Sequence, residues 1–245
     1  MADFNLKIAG HTAAVRSRFD STRDYCRAYL SDDAPETTIT VTPEDLLFEQ
    51  DALYREAIEE GLRPRTFTAP FLDRAAIQRK MAEFLLTKNI LLFHGSAIAV
   101  DGAGYLFTAN CGTGKSTHTR FWRETFGSRA VMINDDKPFL ELTEDTVLLH
   151  GAPWSGKHGL DTNCAVPLKG ICILKRGSEN HIERIAPQSA LPMLLKQAGL
   201  PASAAQEQAL FSLVRPLSER VALWQMHCTK DPEAALVAHA AMSNP

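Results

Sequence analysis

The chain lacks the marks of several protein classes. Its five cysteines (Cys26, Cys111, Cys164, Cys172 and Cys228) form an odd set without a C-x-x-C pair. That argues against a disulfide framework or a zinc site, and for a reducing, cytoplasmic setting. No apolar run approaches the ~20 residues that a membrane-spanning helix needs. The opening MADFNLKIAG carries Asp3 and has no apolar core of signal-peptide length. Positive charge is not in excess: 26 Lys and Arg face 29 Asp and Glu, for a net charge of −3. Without a basic footprint, nucleic acid is not an expected partner, and neither is a membrane. The chain shows no internal repeat and no low-complexity stretch.

What remains is an ordinary globular composition, with 245 residues, 45% of them hydrophobic and 22% charged. That length suits one large domain or two small ones. Residues 1–88 read as an N-terminal α+β region packed on a core made by residues 89–245. In the first region, Phe4–Ile8 and Ala13–Arg16 read as a hairpin around Ala9-Gly10-His11, and Asp20–Leu30 as a short helix. Thr37–Val41 is a β-branched strand. Thr42-Pro43-Glu44-Asp45 is a helix start, with Thr42 as N-cap, and the helix should reach about Glu60 before Gly61 ends it. Phe71–Leu86 is a second amphipathic helix. Nothing in this region reads as catalytic, and His11 and Cys26 read as structural.

The stretch that organises the rest is Tyr105–Thr119, YLFTANCGTGKSTHT. A strand (Tyr105-Leu106-Phe107) runs into a tight loop, and Lys115-Ser116-Thr117 opens a helix. This is a phosphate-binding loop with Ala109 in place of the first glycine. Phosphate oxygens must be met by backbone N–H groups, so Gly112 and Gly114 supply bare, φ-permissive backbone. The helix start points unsatisfied N–H groups and a positive dipole end at the anion. Lys115 neutralises β/γ oxygens, and the Ser116 hydroxyl suits Mg²⁺. Asn110, Cys111, Thr113 and Thr117 complete the predicted nucleotide contacts.

Upstream, Ile90–Val100 reads as one strand, and Asp101–Gly104 as a hairpin turn. The strand before the loop is therefore one arm of an antiparallel hairpin. An ordinary βαβ phosphate-loop protein has parallel strands there, so the sheet should be mixed or antiparallel. The hairpin also brings His94 near the level of the loop. Downstream, Ala130–Ile133 is a short strand ending in Asn134-Asp135-Asp136. Alone, that ending reads as an Asx-rich turn. Beside a phosphate loop, one carboxylate suits Mg²⁺ and the other suits base work on an attacking hydroxyl.

Phe139–Leu142 and Thr146–His150 read as a second hairpin. The Gly-rich loop Gly151–Gly159 follows, with Lys157 and His158 as tentative substrate contacts. Val166–Leu174 is a strand interrupted by Gly170, and His181–Ile185 a short one. Pro187–Gly199 and Ala202–Leu213 are helical by period. Val221–Cys228 is a strand, and Asp231 caps a last helix. Arg215 and Arg220 are candidates to reach the site.

FHGSAIAVDGAGYLFTANCGTGKST and VMINDDKP together resemble the HPr kinase/phosphorylase family and, more distantly, the ATP-dependent phosphoenolpyruvate carboxykinases. A weaker likeness, to relatives of unassigned substrate, extends through GAPWSGKHG and VPLKGICILKRG. The resemblance implies an α/β fold of α+β character, a mixed and largely antiparallel sheet sandwich. It implies ATP and Mg²⁺ as cofactors, with Gly112, Gly114, Lys115, Ser116 and Thr117 on the phosphates and Ser116 also on the metal. Asp135 is then the base, Asp136 the metal carboxylate, and His94 a neighbour of the transferred phosphoryl group; the two Asp roles can be exchanged. The chain departs from the family at Ala109, Cys111 and Thr117. The function implied is γ-phosphate transfer to a hydroxyl, on a protein or peptide Ser or on a small alcohol. Two alternatives are a nucleotide-binding sensor or maturation partner without transfer, and a simple NTPase. A homo-oligomer is compatible with all of these.

Overall fold

A computed structural model describes residues 2–59, 61–199 and 204–244. The chain forms two compact units, one spanning residues 1–85 and the other 86–245.

In the first unit β1 (Ala2–Ile8) and β2 (His11–Ser17) make an antiparallel hairpin, paired from Ala2↔Ser17 to Ile8↔His11. The predicted helix over 20–30 is shorter than expected. Helix α1 covers Asp20–Tyr25, and a single 3-10 turn follows at Arg27–Tyr29. Strand β3 (Thr37–Thr40) adds parallel to β2. Helix α2 (Pro43–Glu59) starts with a reciprocal cap: Thr42 N–H donates to Asp45 Oδ2, and Asp45 N–H donates to Thr42 Oγ1. Gly61, at φ +69°, ends the helix, and Leu62 N–H closes back on Ala57 O. Glu60 lies outside the described residues. Helix α3 (Ala69–Leu86) buries Leu72, Ile77, Met81 and Leu85. Buried Asp73 accepts from Ser17 Oγ, Thr22 Oγ1 and the Arg18 amide, tying α3 to the hairpin and α1. His11 pairs with Glu36, and Cys26 is fully buried.

The second unit is built on a nine-stranded mixed sheet. Its strands are β4 (Ile90–Leu92), β5 (Ser96–Val100), β6 (Ala103–Thr108), β7 (Ala130–Asn134), β8 (Phe139–Leu142), β9 (Val147–His150), β10 (Ala165–Arg176), β11 (His181–Arg184) and β12 (Ala222–Cys228). Hairpin β5–β6 turns at Asp101-Gly102, both residues at positive φ, as a two-residue Asp-Gly turn demands. Strand β6 is antiparallel to β5 and parallel to β10, and β10 is also parallel to β12; every other strand pair in this sheet is antiparallel. The sheet is thus mixed and mostly antiparallel. Its long strand β10 pairs with β9 through its first residues, then with β6 and β12.

The run 90–100 is two strands and not one. Phe93-His94-Gly95 breaks it, and β4 leaves to pair with β8. Gly95 is required at the break, because a Cβ there would lie 2.8 Å from Leu106 Cδ1 and 3.0 Å from Phe107 O.

The two faces of the sheet carry separate cores. Leu106, Ile133, Leu149, Ile171 and Ile173 pack with helices α5 (Pro187–Gln197) and α6 (Ala204–Arg220). Tyr105, Phe107, Cys172 and Trp224 pack with α4 (Lys115–Phe126) and α7 (Glu233–Met242). Helix α6 continues well past the predicted end at Leu213, through Pro216. An interior proline costs roughly 3 kcal/mol. Leu210, Leu213, Val214 and Leu217 are all buried, and each contributes about 1.5–3 kcal/mol, so packing wins. The predicted start of this helix, Ala202, lies outside the described residues. At α7 the Asp231 carboxylate accepts the Glu233 N–H, although Pro232 occupies the cap position itself.

Candidate functional site: a phosphate loop beside a carboxylate pair

Strand β6 delivers the chain to the loop. Ala109 is buried, and Asn110, Cys111 and Gly112 are exposed. Gly112 sits at φ +70° and Gly114 at +121°, a region that side chains disfavour. A Cβ at either position would meet nothing within 4 Å, so backbone angle and not crowding demands glycine here. Thr113 folds back on Asn110 O through both its N–H and its Oγ1. Lys115 Nζ reaches back 3.4 Å to Ala109 O, spanning the loop.

Helix α4 begins at Lys115 with Gly114 as N-cap, with no side-chain cap and no acid in its first turn. The first amides of any helix lack intrahelical partners. A start left without a side-chain cap has amides open to water or to an anion. The helix is anchored on its far side. Thr119 Oγ1 lies 2.9 Å from Ser96 Oγ on β5, and within the helix Trp122 Nε1 donates to His118 Nε2 at 3.1 Å. Burial pushes His118 down to about 3, so its ring is a neutral acceptor.

The carboxylate pair is set by Asn134, a fully buried residue at the end of β7. Its Oδ1 accepts the amides of Asp136 (2.8 Å) and Lys137 (2.6 Å), while its Nδ2 donates to Ala152 O. This Asx turn aims the two acids differently. Asp136 is half-exposed and lies with Oδ1 3.3 Å from His94 Nε2. Burial pushes Asp136 up, but the His94 hydrogen bond and the charges of Lys137, His94 and Lys115 hold it below the usual carboxylate range. Burial likewise lowers His94, against the pull of Asp136. Main-chain bonds fix His94: its N–H donates to Gln197 O, and its carbonyl accepts from Thr108 Oγ1. Lys115 contributes to the field at both His94 and Asp136, so the structure brings these three predicted residues together.

Asp135 is different. It is 5% exposed, and burial raises it above the usual carboxylate range. Its Oδ1 accepts the Gly156 N–H, the His158 backbone also bonds to it, and its Oδ2 is buried without a hydrogen-bond partner. The loop 151–159 thus closes over Asp135 through backbone. The side chains of Lys157 and His158 are exposed on that loop. Gly156 lies against the carboxylate, where a Cβ would come within 3.2 Å of Oδ2.

Asn134 lies in the stretch that reads as an Asx-rich turn, and that turn is present. Two further contributors have no mark in the local pattern. Arg176, at the end of β10, donates from Nη2 to Gly112 O at 2.7 Å, and Lys196 on α5 donates to Asn110 Oδ1 at 3.1 Å. Arg215 and Arg220 instead bind Glu219 and the carbonyls of Glu144 and Thr146.

Among the described residues no group of three or more His, Cys, Asp or Glu is arranged to hold a metal. The oxygen donors expected of a Mg²⁺ site are nonetheless of the right kind, a hydroxyl at Ser116 and an ionised carboxylate at Asp136. Mg²⁺ binds through one or two carboxylates, substrate phosphates and retained waters. No helix among the described residues is long and apolar enough to cross a membrane.

No family model matches the chain, and no curated protein matches it. Among solved structures it is similar to the Hpr(Ser) kinase/phosphatase from Coxiella burnetii, with a TM-score of 0.37 and 10% sequence identity, over 62% of this chain and 88% of that one. A likeness of that size carries no argument about chemistry, which rests on the site's own residues.

Proposed function

We propose that the protein is an ATP- and Mg²⁺-dependent kinase that transfers the γ-phosphate to a hydroxyl. The observation that carries this reading is the pairing of two differently tuned acids with one phosphate loop. Asp136 is held ionised in a field shared with Lys115 and His94, as a metal-binding carboxylate needs. Asp135 is desolvated and raised, with one oxygen unspent, as a base for a hydroxyl proton needs.

In this reading the amides at the start of α4, Gly112, Gly114 and Lys115 hold the phosphates. Asn110, Cys111, Thr113 and Thr117 shape the rest of the cradle. Ser116 and Asp136 would hold Mg²⁺, which would supply positive charge against the phosphate oxygens. Asp135 takes the proton of the acceptor hydroxyl through Oδ2. His94 keeps Asp136 ionised and oriented. The loop 151–159 must give way for an acceptor to reach Oδ2, and Lys157 and His158 are exposed side chains on that loop.

The test is transfer from γ-labelled ATP with Mg²⁺ in a cytosolic extract, split into macromolecular and small-molecule fractions, with Lys115→Ala as control. Label above control in the macromolecular fraction identifies a protein or peptide acceptor. Label in the small-molecule fraction identifies an alcohol. Rapid phosphate release without any acceptor would mean a simple NTPase. Bound ATP with no label in either fraction would count against transfer and for a sensor.

A further inference from the structure

We infer that Arg176 and Lys196 are nucleotide-phosphate-binding residues, brought to the loop from two distant parts of the chain. The inference rests on the kinase reading, because it needs a polyphosphate in the loop.

Register places Arg176. Strands β6 and β10 run parallel, with Thr108 level with Ile173. Three residues further along each strand, β6 has become Cys111 of the loop and β10 has reached Arg176. The chain must then turn, and Gly177 permits it: a Cβ there would lie 2.9 Å from His227 Cβ. Gly177 N–H also closes on Cys228 O. Arg176 is therefore held by a paired strand on one side and a tight turn on the other. Lys196 comes from the last turn of α5, beside Gln197, whose carbonyl accepts the His94 amide.

Both side chains are exposed, and neither has a carboxylate partner among the described ion pairs. The chain offers 29 acids, yet these cations donate to neutral oxygens of the phosphate loop. The segment from Ala109 to Thr119 contains no acid. Arg176 and Lys196 thus join Lys115 and the positive end of α4 around one loop. Asp136 shares the field of Lys115, and the charges added by Arg176 and Lys196 favour an arriving anion. Each group also keeps donors in hand. A guanidinium has five N–H donors and an ammonium three, and each residue spends one on the loop. Donors fixed at one end and unspent at the other suit phosphate oxygens, and a guanidinium fork suits them best.

The competing account is a brace that only shapes the loop. Calorimetry separates the two. Wild type, Arg176→Gln, Arg176→Lys and Lys196→Gln are titrated with a non-hydrolysable ATP analogue at low and high salt. Each Gln variant is expected to lose about tenfold in affinity at low salt, and its salt dependence to flatten, since one phosphate contact has gone. Arg176→Lys should recover part of the loss and all of the salt slope. Unchanged affinity, or a loss with an unchanged salt slope, would overturn the inference and leave the kinase reading standing. A wild-type protein that binds no nucleotide would overturn both.

Discussion

Replacing Asp135 by Asn separates the chemistry of that residue from its burden on the fold. The carboxylate is buried at 5% exposure with Oδ2 unpartnered, and burial raises it above its ordinary value. The linkage sign follows. A group raised on folding stabilises fully only below its unfolded value, near pH 4, and that stability is lost as pH rises through the folded value. Wild type therefore carries a penalty at neutral pH that Asp135→Asn does not. The variant has a constant cost of its own. Its amide nitrogen takes a buried place without an acceptor, at about 1–3 kcal/mol. For a chain of this length 1 kcal/mol corresponds to roughly 2–4 °C in Tm. Thermal unfolding of both proteins from about pH 4 to 8 should show Asp135→Asn gaining on wild type as pH rises above about 4, and the gain levelling off once the wild-type carboxyl has ionised. Asp136 and His158, which also act on Asp135, are unchanged in the variant. Meanwhile transfer should fall by about 10²–10⁴ with nucleotide affinity kept. A Tm difference that is flat with pH, or that moves against the variant as pH rises, would refute the buried-charge argument. Undiminished transfer would refute the base.

Three further outcomes are expected. Lys115→Ala should abolish tight ATP binding by calorimetry, and unchanged affinity would remove the phosphate-loop assignment. Alkylation of Cys111, exposed in the loop, should slow when ATP is bound, whereas equal rates would place the nucleotide elsewhere. Gly151→Ala would put a Cβ 1.9 Å from Thr162 O and 3.0 Å from Ile133 O, so the start of the loop over Asp135 must shift. Overpacking of that kind costs about 1–3 kcal/mol, and an unchanged Tm would contradict the crowding described.

Local chemistry made some elements readable. Asp101-Gly102 takes positive φ at both positions and fixes the β5–β6 hairpin. That hairpin disclosed that the sheet would not be purely parallel. Thr42-Pro43-Glu44-Asp45 announced α2 because its cap lies within four residues. Where the outcome depended on residues far apart, the pattern misled. ILLFHGSAIAV is apolar on both faces, so no periodicity reveals that the strand divides at Phe93-His94-Gly95; the division follows from β8 and β6 claiming different halves. The apolar period ends α6 at Leu213, and the buried Val214 and Leu217 carry the helix on through Pro216. Arg176 and Lys196 lie far from the loop in sequence, and neither belongs to a motif. The loop residues and the acid pair are legible because each set is contiguous. The different environments of Asp135 and Asp136 are not, because burial beneath the distant loop 151–159 sets the first and the contact with His94 the second.

Strand β10 pairs with three partners, and that arrangement sets an order for synthesis. Hairpin β5–β6 can close as soon as it leaves the ribosome, because its partners are neighbours. The other edge of β6 stays open until Gly170 arrives to pair with Tyr105, and β10 itself waits for β12. Non-local pairing of this kind is slow and leaves bare strand edges in the meantime. A nascent chain therefore exposes the loop 109–114 long before Arg176, Lys196 and the second strand edge arrive beside it. A chain cut short ahead of β10 would carry the motif intact and lack both the strand edge and the two cations that lie against it.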